Sequence, residues 1–198
     1  MKTIQIFPTE IGVSYFNKDP SIYKDVWYKE SSNIKKNLSN HVSINKNILD
    51  SIELITLKEW ILEQVFSYYK YLFNIEKDIK PYLTNSWLTF TNYNEGHFQH
   101  LHSNSIVSGV FYINVEEQND TICFVNPKKV DTLCLGTGAQ YNTWQQPIRP
   151  NMLLLFPSSI EHYVPNVLYE NYTRISLSFN TFIKGTIGHV DSINELTL

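Results

Sequence analysis

HFQHLHSNSIVSGVFYIN, residues 97–114, places three of the chain's six histidines within six positions and then runs straight into an apolar, alternating segment. Alternation at period two is the mark of a half-buried strand, because successive side chains of extended backbone point to opposite faces. The same period recurs on both sides of this stretch. SWLTFTNYN (86–94), SIVSGVFYINV (105–115), TICFVN (121–126), DTLCLG (131–136), NMLLLFPS (151–158), HYVPNV (162–167) and TRISLSFNTFI (173–183) are short apolar or alternating segments separated by Asn, Gly, Pro and Asp. Strands in sequence without helical crossovers predict an antiparallel, mainly β (α+β) fold, a double-stranded β-helix or jelly roll.

Toward the N-terminus the period lengthens. Thr56 with Glu59 three residues later forms a capping-box signature that predicts a helix start, with Ile55 and Trp60 as its hydrophobic staple. Trp60, Ile61, Val65, Phe66, Leu72 and Phe73 recur near helical spacing, and Pro81 lies beyond the helix end. A second helix is expected at about 20–38, and a short opening strand around Ile4 to Phe16. These helices are expected to cover one sheet. The expected division is one domain, with supporting N-terminal elements at 1–84, the jelly-roll core at 85–182 and an extension at 183–198. Residues 136–150, GTGAQYNTWQQPIRP, read as a long loop serving as a lid or binding element, with Trp144 and Arg149 as contacts.

Composition bounds the function. The 198 residues are 42% hydrophobic, 14% aromatic and 18% charged, which describes a folded domain with a real core. The net charge of −3 and the short pairs Lys35-Lys36 and Lys128-Lys129 supply no stripe to neutralise a row of phosphates, so no nucleic-acid partner is expected. The first residues fail as a signal peptide and no run is long enough to span a membrane, so a cytoplasmic protein without a membrane partner is expected. Cys123 and Cys134 lack the number or spacing of a disulfide framework or thiolate metal site and are read as buried thiols. Abundant Asn beside Lys and Ile is read as a signature of genome composition.

The chemistry-bearing pattern is long-range. His100 and His102, one residue apart, can grip one divalent ion where a strand meets a loop. A third ligand must come from a distant strand, and His162 opens one after an apolar strand and a turn. Arg174 follows at the start of the C-terminal strand. His41, His97 and His189 are read as surface or hydrogen-bonded residues, with His97 the one to watch. Trp87 is read as core, and Tyr112 as core or site alike.

HLHSNSIVSGVFYIN, NMLLLFPSSIEHYVPN and RISLSFN, in this order and spacing across residues 87–182, resemble the 2-oxoglutarate and Fe(II)-dependent dioxygenase superfamily. The likeness is to small bacterial and phage 2OG-Fe(II) oxygenases and to prolyl hydroxylase catalytic domains, and FPTEIG (7–12) resembles that group's opening strand. The resemblance implies Fe(II) held by His100, His102 and His162, and 2-oxoglutarate as co-substrate. Arg174 would salt-bridge its far carboxylate, with Ser176 and Tyr112 beside it. The implied reaction is oxidative decarboxylation of 2-oxoglutarate coupled to hydroxylation, with O2 and a small-molecule or peptide substrate as partners. A homo-oligomer is compatible with the sequence. The departure is His102, where the family pattern has an acid. Three histidines on one face is the reading adopted, against a His102 turned away with water in its place, or a contribution from Asn104 or Glu161. Two alternatives share the fold: a cupin, whose second motif Pro157, His162 and Asn166 resemble, and a non-catalytic jelly-roll binding module. Ile106 and Val107 stand where a cupin would carry its glutamate.

Overall fold

Period-two strands sandwiched between two apolar environments build the largest of the antiparallel sheets. The computed structural model describes residues 2, 8–75, 78–127, 142–188 and 193–198. Seven strands lie in the order β1 (Gly12–Tyr15), β9 (Met152–Pro157), β6 (Val107–Asn114), β11 (Arg174–Lys184), β4 (Lys80–Thr91), β3 (His41–Ser43) and β2 (Ile34–Lys36). A second sheet has the order β5 (His97–His100), β10 (His162–Val164), β7 (Thr121–Val125) and β8 (Thr143–Pro147). This is the expected jelly-roll layout.

Register sorts the large sheet's residues onto its faces. Leu88, Leu177, Phe111 and Leu153 are successive cross-strand partners and point outward. They join the core built by Leu57, Ile61, Val65 and Tyr69. The next row, Trp87, Ser178, Val110 and Leu154, points inward. There Val110, Leu154 and Phe156 pack with Ile122, Phe124 and Ile148 in a second core between the sheets. Each buried aliphatic or aromatic side chain contributes about 2 kcal/mol, so both faces of the central strands are held.

Helix α1 (Lys24–Ser31) follows a 3-10 turn, Pro20–Tyr23, capped where Ser21 N–H donates to Asp19 Oδ1 at 2.8 Å. It stops seven residues short of the expected end at 38, because the chain enters β2 at Ile34. Helix α2 (Ile55–Phe73) lies over the outward face as expected, but the capping box does not form. Two 3-10 turns, Ile48–Asp50 and Ile52–Leu54, feed the helix directly, Leu54 occupies the cap without a side-chain bond, and Thr56 is already inside. Its buried face is Leu57, Ile61, Val65, Tyr68 and Tyr69, whereas Phe66 and Phe73 are 47% and 52% exposed.

The expected loop at 136–150 contains a strand. Thr143–Pro147 pairs with β7 at the edge of the small sheet, where a proline is tolerated at the strand end. DTLCLG, Cys134, Lys128-Lys129 and His189 lie outside the described residues, as does the opening strand from Ile4 to Phe7; β1 covers the rest of that expectation. Cys123 is buried, as expected. Among the described residues, the five non-glycine positions with positive φ are Asn74, Asn94, Asn104, Asn151 and Asn171. Left-handed backbone penalises most side chains and tolerates asparagine, so here the abundance of Asn has a structural use. No helix among the described residues is long and apolar enough to cross a membrane.

Candidate metal centre

Strand pairing brings the distant histidines together. His100 ends β5 and His162 begins β10, and the two are direct cross-strand partners. Their ring centroids lie 4.4 Å apart. His102 follows β5 and is tied down by its N–H, which donates to Ser158 O at 3.0 Å. Its ring centroid is 5.1 Å from that of His162 and 5.2 Å from that of His100. One nitrogen from each of the three rings falls within 4.8 Å of the others.

Hydrogen bonds aim the lone pairs. His100 Nδ1 donates to Phe98 O at 2.8 Å and His162 Nδ1 to Ile160 O at 3.1 Å. A carbonyl only accepts, so both Nδ1 atoms carry the hydrogen and both Nε2 atoms present a lone pair. His102 Nδ1 donates to Asn180 Oδ1 at 2.7 Å, and Ser108 Oγ, which is 2.7 Å from the same nitrogen, donates to that oxygen too. His102 Nε2 is thereby aimed at His100 Nε2, 3.2 Å away. Two lone pairs at that distance repel unless a cation lies between them. Ligands at right angles and about 2.1 Å from an ion are about 3.0 Å apart, so the observed separation fits adjacent corners of one coordination sphere. Burial supports the same state. It pushes His162 down to about 3 and His102 to about 4, lowers His100 as well, and so keeps the rings neutral and available as ligands at neutral pH. His102 thus points into the cluster. Asn104 occupies a left-handed turn, and Glu161 accepts from Gln99 Nε2 at 2.8 Å.

The rings open on a cavity of about 70 Å³ that reaches Arg174, Ser176 and Tyr112. Ser176 and Tyr112 are direct cross-strand partners. Arg174 is only 4% exposed and is held by two contacts: Nη1 to Asp120 Oδ1 at 3.1 Å and Nη2 to Pro165 O at 3.3 Å. A guanidinium has five N–H donors, so three remain for a ligand. The Asp120 carboxylate also accepts from Tyr172 Oη at 3.1 Å and Glu116 N at 3.0 Å. Tyr112 is fully enclosed, and burial holds its phenol protonated far above the usual range.

Two expectations change. Trp87 is not core: its ring faces His102 at 6.2 Å and lines the cavity. Trp144 is 66% exposed on β8 and lines none of this cavity, nor does Arg149. Sequence reasoning missed the residues that orient the others. Asn180 was within reach, since Arg174, Ser176, Ser178 and Asn180 alternate along one strand face. Asp120 and Asn40, which serve Arg174 and His97, carry no local signal.

Residues 85–180 match the family described as "Putative 2OG-Fe(II) oxygenase". Over that stretch the chain is similar to the 2OG-Fe(II) oxygenase superfamily. Solved 2OG-Fe(II) oxygenases share the fold. A Pseudomonas putida prolyl-4-hydroxylase aligns with TM-score 0.59 at 12% identity, covering 87% of this chain and 92% of that one. HygX from Streptomyces hygroscopicus, with nickel, 2-oxoglutarate and hygromycin B bound, gives 0.63 at 10%, covering 87% and 82%. A Trichoplax adhaerens prolyl hydroxylase in complex with a hypoxia inducible factor peptide gives 0.60 at 13%, covering 87% and 83%. No curated protein matches by sequence. The stretch shared with this oxygenase family contains all three clustered histidines, Tyr112, Arg174 and Ser176.

Proposed function

We propose that this oxygenase binds Fe(II) through His100, His102 and His162 and 2-oxoglutarate through Arg174, and that it hydroxylates a further substrate. The observation that carries the reading is the convergence of three Nε2 lone pairs at one end of a cavity whose other end is a buried arginine. Bound there, the metal and co-substrate would supply, with O2 as oxidant, decarboxylation of 2-oxoglutarate to succinate and CO2 coupled to hydroxylation of a substrate C–H bond. The protein's part is to hold and orient. The three Nδ1–H bonds fix the ligand tautomers, as partners behind metal-binding imidazoles commonly do. Asp120 and Pro165 O set the plane of the guanidinium, leaving its remaining donors for a bidentate carboxylate contact. Tyr112 and Ser176 flank that end, and Tyr112, kept protonated, has a hydroxyl hydrogen to give.

Charge supports three neutral histidines. With no acid in the ligand set, a divalent cation and a dicarboxylate cancel, and the buried Asp120 cancels Arg174. The enclosed set sums to zero, as a low-dielectric interior requires. The cupin alternative makes no use of Arg174.

The test is 2-oxoglutarate turnover with metal content and circular dichroism measured on the same samples. His100→Ala and His162→Ala are expected to stay folded and lose both metal and turnover. Arg174→Ala is expected to keep metal and need far more 2-oxoglutarate. Full turnover in either histidine variant would refute the ligand assignment.

A further inference from the structure

On the solvent side of the histidine cluster lies a second, broader cleft of about 340 Å³, walled by His97, His100 and His102 and floored by the β4–β3–β2 end of the large sheet. Register fixes which side chains that floor presents. Lys35 is opposite Val42, Val42 opposite Thr89, Thr89 opposite Ser176, and Ser176 opposite Tyr112. Directly opposed residues of an antiparallel sheet share a face. Lys35 therefore stands on the same face as the residues that line the inner cavity, carried sideways beyond it by the two short N-terminal strands. Lys46, in the turn after β3, lines the same cleft. Both lysines are exposed, no Asp or Glu lines the cleft, and neither ammonium has an ion-pair partner among the described residues.

His97 adds a third donor. Asn40 Nδ2 donates to Gly96 O at 3.2 Å, and Asn40 Oδ1 accepts from Asn37 Nδ2 at 3.3 Å, so the amide has one workable orientation. The same Nδ2 lies 2.7 Å from His97 Nδ1. That nitrogen must accept, so the neutral ring carries its hydrogen on Nε2. The lining thus combines two free cations with an imidazole N–H and holds no carboxylate.

We propose that this cleft receives the prime substrate and that the substrate bears a phosphate or carboxylate group, held by Lys35 and Lys46 while its reacting carbon lies at the histidine cluster. This rests on the oxygenase reading for the cleft's purpose, but the anion preference stands on the cleft alone. Lysine suits the task because a compact ammonium on a flexible stem follows anions of varied shape. A cationic substrate would meet two like charges there, and a neutral one would leave both lysines unused.

The experiment is a titration of the isotopically labelled full chain followed by amide and imidazole resonances, once metal-free and once with Zn(II) and N-oxalylglycine in place to fill the Arg174 end. The probes are O-phosphoserine and glutamate, with serine and glutamine as neutral counterparts. Both anions are expected to shift amides at 34–36, 42–46 and 97–102, and the one acting at lower concentration identifies phosphate or carboxylate. The double variant Lys35→Glu, Lys46→Glu is expected to weaken that response about tenfold, the scale of two exposed charge contacts. An equal response to charged and neutral probes, no response, or an unchanged response in the double variant overturns the proposal. Failure of the oxygenase reading shows separately, as imidazole signals of His100, His102 and His162 that ignore Zn(II).

Discussion

His102 is the residue on which the chemistry of this site turns. It stands where the family pattern has an acid, yet its Nδ1–H is held by Asn180, with Ser108 bridging to Ser158 behind it. That network fixes the tautomer of the imidazole and aims its Nε2 at the cluster. The His102→Asp variant is expected to bind Co(II) at least as tightly as the native chain, because a carboxylate adds Coulomb attraction. It is expected to bind N-oxalylglycine more weakly, because the enclosed charge then falls below zero. Calorimetry with each ligand in turn reads both effects, and loss of metal binding would contradict the first. The sequence carries the three clustered histidines and Arg174 because their spacing is set by strands. It does not carry Asp120 or Asn40, whose roles arise from contacts 54 and 57 residues away along the chain.

At the scale of elements, the central strands must serve a core on one face and a cavity on the other, and this shapes β6. Gly109 lies opposite both Phe179 and Leu155, on the outward face. A Cβ there would sit 2.2 Å from Phe179 Cζ, so the phenylalanine ring lies across the glycine. Gly109→Ala is expected to destabilise the fold by about 3 kcal/mol, read as a lower denaturant midpoint. Metal binding by the molecules that remain folded should be unaltered, since the inward row is untouched. Strand periodicity was legible because alternation reports burial directly. Helix α2 was legible as a helix but not in its facing: Phe66 and Phe73 satisfy the period yet lie at the edge of the buried stripe, and Tyr68 and Tyr69 take their places. Strand β8 was hidden because it is a polar edge strand, TWQQP, among glycines and prolines, and only its pairing with β7 makes it extended.

Taken as a whole, the molecule places its main core and its histidine cluster on opposite sides of one sheet, with helix α2 and its partners behind and the candidate metal centre in front. Ligands that bind only the folded form should add to stability in two steps. Saturation with Zn(II) at a hundredfold over its dissociation constant is expected to contribute about 2.7 kcal/mol, and N-oxalylglycine a further increment of similar size. In Arg174→Ala the first step should persist and the second should vanish, read as thermal midpoints. A second step that survives would place the co-substrate elsewhere.

The large sheet has seven strands against four in the sheet that carries His100 and His162, and the ribbon made of β2 and β3 forms one of its edges. Every residue assigned to metal or co-substrate falls within 85–180, the portion held in common with other oxygenases, whereas the ribbon and its two lysines precede it. The two cations proposed to choose the substrate are thus written on a different stretch of chain from the candidate oxidising site. Exchanging residues of the early ribbon is expected to change what is accepted while leaving the residues assigned to metal and co-substrate in place.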